Sequence, residues 1–218
     1  MAVGELVTRK GFDLAGKIRA PKITIGSVSG NFAYGETVTG GTSGATGTVA
    51  YVAATELQLI NVAGTFQNAE TITGGTSAAT ATTSGTPSVS WTTAWLDIAR
   101  VRDTFTVNRQ RPVTEIVDFS TGEEDFTDKI AGNQSGNASF TINLVPGGKS
   151  FQMAEAAMDA NLDMAVRRVQ KDRTETNTRT RYYVGVVTGF NETDSVTDAS
   201  TVAVTYEISD VSKTDPTT

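Results

Sequence analysis

The sequence predicts a mainly β protein with one short helix and a small all-β module inserted near its N-terminus. Three observations carry this. Thr and Gly are abundant beside a hydrophobic fraction of 38%, a balance that favours strands and turns over helices. Apolar and polar residues alternate with period two through much of the second half. An internal repeat of period 34 also occupies a stretch whose charge differs sharply from its flanks.

That stretch is 23–90. It contains no Lys or Arg, and its acids are Glu36, Glu56 and Glu70, whereas all 18 basic residues lie outside it. So abrupt a shift marks an inserted unit. The expected organisation is a host domain of 1–22 and 91–212, an inserted module of 23–90, and a flexible C-terminal tail of 213–218. Within the module, Gly30-Asn31-Phe32 recurs as Gly64-Thr65-Phe66. Likewise Glu36-Thr37-Val38-Thr39-Gly40-Gly41-Thr42-Ser43 recurs as Glu70-Thr71-Ile72-Thr73-Gly74-Gly75-Thr76-Ser77. Between the copies, 48–62 reads as two paired strands turning near 53–56. A compact barrel follows, with Phe32 and Phe66 as matched core anchors. Two copies are too few for a solenoid.

In the host part, Phe140, Ile142 and Leu144 alternate with Ser139, Thr141 and Asn143, the mark of a half-buried strand. Pro146-Gly147-Gly148 ends it. Residues 150–160 then place Phe151, Ala154, Ala157 and Met158 at helical spacing. Strands are expected at 164–169, 182–187 and 202–208, the last with Val202, Val204, Tyr206 and Ile208 on one face. Polar loops are expected at 171–177 and 191–200.

The chain has no Cys and no His, which removes thiolate chemistry, disulfides, the usual zinc sites and every imidazole-dependent dyad or triad. No cofactor, metal site or catalytic residue is expected, and the chain reads as a non-enzyme. A net charge of -6 opposes general nucleic-acid binding, which draws on Lys and Arg. No apolar run approaches the ~20 residues of a membrane helix, so a soluble protein made in the cytoplasm is expected.

Four motifs invite a functional reading. The Gly-Gly-Thr-Ser repeats could cradle a phosphate, but no helical period follows them, and tight turns are the simpler reading. Gly148-Lys149-Ser150 sits between a strand and a helix as a nucleotide-binding loop would, yet Asn143 stands where that pattern needs Gly. Glu123-Glu124-Asp125, near Asp118 and Asp128, lacks the spacing of a calcium loop. The basic stretch of Arg167, Arg168, Lys171, Arg173, Arg179 and Arg181 is interrupted by Asp172 and Glu175, and it suits an acidic protein partner better than nucleic acid. Glu123, Glu124 and Asp125 meeting Arg167, Arg168, Arg179 and Arg181 of a neighbouring copy is therefore the expected subunit interface.

From Trp91 onward the order of features resembles the tail tube (major tail) proteins of long-tailed bacteriophages. The run Trp95-Leu96-Asp97-Ile98-Ala99-Arg100-Val101-Arg102-Asp103 is similar to the family's first part of the sheet, and 118–136 to its long acidic hairpin loop. The strand at 139–145, the Pro-Gly turn, the helix, the strand at Met164 and the closing pair 182–190 and 202–209 follow in family order, with 1–22 as the first strand. The resemblance implies a tail-tube-type β-sandwich or barrel whose copies form hexameric rings stacked into a tube. It implies as partners a tape measure protein, tail terminator or baseplate proteins, and DNA passing without specific binding; no membrane is involved. The repeat of 23–90 resembles Gly-Glu-Thr-hydrophobic-Thr-Gly segments of various phage virion proteins, and its size implies a position outside the tube. An acidic bore would let DNA slide, and strand closure around a ring would remove exposed sheet edges. The competing expectation is a virion decoration, baseplate or adhesin-type module binding carbohydrate, for which Tyr34, Tyr51, Trp91 and Trp95 are the rings that could stack on sugars.

Overall fold

The structure, a computed structural model, describes residues 12–98, 105–116, 128–131, 135–143, 148–171, 178–194 and 200–216. In chain order the strands are β1 (Phe12–Ser29), β2 (Thr37–Gly40), β3 (Thr46–Val52), β4 (Glu56–Ala63), β5 (Thr71–Gly74), β6 (Thr80–Trp91), β7 (Leu96–Asp97), β8 (Thr106–Gln110), β9 (Val113–Ile116), β10 (Asp128–Ala131) and β11 (Ser135–Asn143). The helix α1 (Lys149–Asp159) follows, and β12 (Asp163–Lys171), β13 (Thr178–Thr193) and β14 (Thr201–Ser212) close the described chain. The mainly β class with one short helix is what the sequence predicts. Two observed strands outrun expectation: Lys171 belongs to β12, and Asn191, Glu192 and Thr193 extend β13. The expected hairpin loop at 118–136 lies largely outside the described residues, but its arms β9 and β10 pair with each other as a separate two-stranded ribbon.

All other strands join one sheet, ordered β4-β3-β2-β5-β6-β1-β12-β13-β14-β11-β8, with β7 added on β1. Its first six strands curl until β4 meets β1 again, through Lys22↔Gln58, Ile23↔Leu57 and Thr24↔Glu56, and close a six-stranded barrel. The strand β1 serves both parts: Phe12 to Arg19 pair with β12, and Arg19 to Ser29 pair with β6. Register shifts between Lys22 and Thr24 and between Gly26 and Ser29 bend it from one sheet direction into the other. The expected boundary at residue 22 thus falls inside a continuous strand.

The barrel is two copies of one unit, and the unit is longer than the identical residues suggest. Period 34 also relates Ile23 to Leu57, Ile25 to Leu59, Val38 to Ile72 and Ala45 to Ala79, and all eight are buried with Phe32 and Phe66 in the barrel core. The backbone repeats as well: positive φ recurs at Ser27 and Asn61, Gly30 and Gly64, Gly35 and Ala69, and Gly44 and Ala78. At Gly30 and Gly64 the reason is close approach, since a Cβ there would stand 3.2 Å from Ala79 and Ala45 respectively. Within each unit the last two strands pair, but the first strand crosses to the other unit, β1 onto β6 and β4 onto β3. Neither unit can close a barrel by itself.

A second core lies between α1 and the concave face of β1, β12, β13, β14 and β11. It holds Leu14, Ile18, Ala138, Phe140, Ile142, Met164, Val166, Val202, Val204 and Tyr206. The period-two expectations hold there for Phe140 and Ile142 of β11 and for Val202, Val204, Tyr206 and Ile208 of β14, while Leu144 lies outside the described residues. The helix differs from expectation in part of its buried face. Met153, Ala154, Ala156 and Ala157 are buried, Phe151 is half-buried, and Met158 is exposed. Small residues face inward because the helix rides close on the sheet, where Gly16 of β1 leaves room for the Met153 side chain. Phe151 packs on Phe190 of β13, ring centroids 5.4 Å apart, at the margin of this core. The barrel adds Ala50 and Tyr51 to this core, and Tyr34 Oη donates to Glu155 Oε2 of α1 at 3.0 Å.

Candidate subunit interface

Along β12 one face reads Met164, Val166, Arg168, Gln170, and along β13 the matching face reads Arg179, Arg181, Tyr183, Gly185. The register pairs Met164 with Gly185, Val166 with Tyr183, Arg168 with Arg181 and Gln170 with Arg179. The same face of the sheet is therefore apolar under α1 and cationic at its other end. Arg109, from the sheet-terminal strand β8, joins Arg168, Arg179 and Arg181 around a cleft of about 160 Å³ floored by Tyr183 and Val211. Arg181 donates to the Thr180 carbonyl at 3.2 Å, and among the described residues neither Arg109, Arg179 nor Arg181 forms an ion pair.

Of the basic residues expected at an interface, the structure brings Arg168, Arg179 and Arg181 together and separates Arg167. The pleat sends Arg167 to the opposite face, where its guanidinium lies 5.1 Å from the centre of the Trp95 ring. Trp95 is enclosed there by Lys17, whose ammonium lies 4.7 Å from the ring centre, and by Tyr182. Asp215 accepts from Trp95 Nε1 at 2.8 Å and from Lys17 Nζ at 3.4 Å. One residue of the expected C-terminal tail is thus held against the sheet. Arg109 is the member that the sequence reading missed: it lies about 60 residues from the others, and only the β8–β11–β14–β13 order places it beside them. Glu123, Glu124 and Asp125 lie outside the described residues.

The Gly-Gly-Thr-Ser loops do cradle an anion, and the barrel supplies it. Glu36 of the first unit accepts from Thr76 N at 3.2 Å, Ser77 N at 2.9 Å, Ser77 Oγ at 2.8 Å and Ala33 N at 2.6 Å. Glu70 of the second accepts from Thr42 N at 3.2 Å, Ser43 N at 2.9 Å, Ser43 Oγ at 2.9 Å and Gln67 N at 2.5 Å. Each carboxylate fills the loop of the opposite unit, around a pseudo-twofold axis at the Thr39↔Thr73 pair. Burial alone would raise both acids, but the bonds from Ser77, Ala33 and Thr76 to Glu36, and from Ser43, Gln67 and Thr42 to Glu70, outweigh it and lower both pKa values. These loops are closed to an external phosphate.

Lys149 of the Gly148-Lys149-Ser150 motif points its ammonium at the Val52 carbonyl of the barrel, 3.5 Å away. The aromatic rings that a sugar could stack on are taken up by the fold. Tyr51 and Trp91 are buried, Tyr34 is bonded to Glu155, and Trp95 is enclosed as described. Among the described residues no helix is long and apolar enough to cross a membrane. No family model matches the sequence, and no curated protein matches it. Among solved structures the chain is similar to the SPP1 tail tube, determined by solid-state NMR and cryo-EM, with a TM-score of 0.42 and 13% identity over 55% of this chain and 67% of that one.

Proposed function

We propose that this chain is a structural, non-enzymatic subunit of a bacteriophage tail tube, built by association of copies of itself. The observation that carries the reading is the order of the host part. First strand, paired ribbon, half-buried strand, helix and three closing strands follow one another as the resemblance in the sequence implies. The host sheet supports it by what it leaves open. Among the described residues its terminal strand β8 pairs on one side only, with β11, and an open edge is a ready template for a neighbouring chain. On this reading hexameric rings stack into a tube in the virion tail, assembled on a tape measure protein and capped by terminator or baseplate proteins. DNA passes through without specific binding, and the barrel of 23–90, joined to the host part through β1 and the packing of Ala50 and Tyr51, lies on the outside of the tube.

Negative-stain electron microscopy of the purified full-length protein, with sedimentation across concentration, tests the proposal. Rings or tubes of even diameter are expected, with a sixfold subunit mass for the smallest ring. A monomer or a trimer at every concentration and salt would overturn it.

A further inference from the structure

We infer that the cleft formed by Arg109, Arg168, Arg179 and Arg181 receives a carboxylate-rich segment of a second copy of this chain, the run Glu123-Glu124-Asp125. The inference rests on the self-assembly reading only for the identity of the occupant.

Three observations lead to it. The cleft brings Arg109, Arg179 and Arg181, none of them in an ion pair among the described residues, beside Arg168 in a chain whose net charge is -6. Guanidinium forks match carboxylate oxygens in pairs. The size of the cleft, about 160 Å³, suits one or two carboxylates. It does not suit a nucleic-acid strand, which needs an extended cationic track with aromatic platforms for the bases; the one aromatic residue lining the cleft, Tyr183, is buried beneath the arginines. Lastly, the acidic run joins β9 to β10, and among the described residues these two strands pair with each other and with no strand of the main sheet.

A fluorescein-labelled peptide with the sequence of residues 118–128, titrated into the full-length protein and followed by anisotropy, provides the test. The peptide should bind, and added salt should weaken it because the contact is between charges. Binding should fall by roughly tenfold or more in R179E/R181E, since both cations at the centre of the site are reversed. It should be unchanged in Lys149→Glu, a single charge reversal at the start of α1, at the other end of that face from the cleft; circular dichroism checks that both variants are folded. A short DNA duplex runs in parallel. If the duplex binds with the same dependence on Arg179 and Arg181 and the peptide does not, the partner is wrong. If neither binds, the site is wrong. Tube formation is scored separately. Wild-type-like tubes from R179E/R181E would remove the cleft as a contact while leaving the tube proposal standing. Peptide binding without rings or tubes under any condition would keep the cleft and remove the tube.

Discussion

Replacing Glu70 by Gln tests whether the exchanged carboxylates hold the barrel together. The amide has nearly the shape of the carboxylate, but one of its two polar atoms is a donor. If its oxygen faces Thr42 N and Ser43 N, its NH2 group confronts Gln67 N; if it is turned round, the NH2 group confronts the other two. Either way at least one buried backbone N–H loses its acceptor, which costs about 1–3 kcal/mol, and the surviving bonds lose their charge, about 1 kcal/mol each. The expected loss is about 3 kcal/mol, a large share of the ~5–15 kcal/mol that holds a domain folded. By the pseudo-twofold symmetry Glu36→Gln should lose a similar amount. The pH dependence has a definite sign. The folded pKa of Glu70 lies below its ordinary value of 4.5, so its contribution is complete above that value and is lost as pH falls through the lower folded pKa. Wild type and E70Q should therefore differ most at neutral pH and converge in acid. Urea unfolding by far-UV circular dichroism, with hydrogen exchange of the barrel amides, reads both effects. A loss under about 0.5 kcal/mol, or a difference that does not shrink between neutral pH and pH 3, would refute the reasoning.

Two further predictions concern the host part. Met153 is fully buried against Gly16 whereas Met158 is exposed, so Met153→Ala should cost about 2–5 kcal/mol and Met158→Ala under about 0.5 kcal/mol, measured by thermal unfolding; equal losses would mean the helix is rotated. Gly185 faces the Glu207 carbonyl so closely that an added Cβ would overlap its oxygen, and because that obstacle is backbone, Gly185→Ala should cost about 3 kcal/mol; a variant with wild-type melting and unchanged exchange in β13 and β14 would contradict the close approach.

Much of this architecture was legible because strands write their burial into alternate positions. Phe140 and Ile142, the four residues Val202, Val204, Tyr206 and Ile208, and the anchors Phe32 and Phe66 all sit where period and repeat put them. The helix was located correctly and Ala154 and Ala157 face the core as expected, but Met158 is exposed and Met153 and Ala156 take the inward positions. A search for large apolar residues finds Phe151 and Met158, whereas a helix lying close on a sheet buries Ala156 and Ala157, whose small size carries little signal. The first strands of the repeat escaped notice because Ile23 and Leu57, or Ile25 and Leu59, are equivalent in volume without being identical. The arginine cleft was legible only in part: the hairpin of β12 and β13 brings its own arginines together by local register, but pleat direction decides that Arg167 leaves, and sheet order decides that Arg109 arrives. The exchange of Glu36 and Glu70 was beyond reach, since a repeated Gly-Glu-Thr-x-Thr-Gly-Gly pattern does not say whether each acid closes its own loop or its partner's.

The pairing of Lys22 with Ser88 and of Ala20 with Ser90 has a consequence for how such chains can be altered. The chain leaves the lower sheet on one strand and returns on the strand hydrogen-bonded to it. To that sheet, everything between is topologically a hairpin turn. Register below the crossing depends on where the two strands meet and hardly on the length of what joins them, because the entropy of closing a connection grows only by about 0.6 kcal/mol for each doubling of its length. The same two-strand socket could therefore carry a plain turn or a different folded cargo, and the barrel with its two strand ends could be moved to another antiparallel pair as a plug.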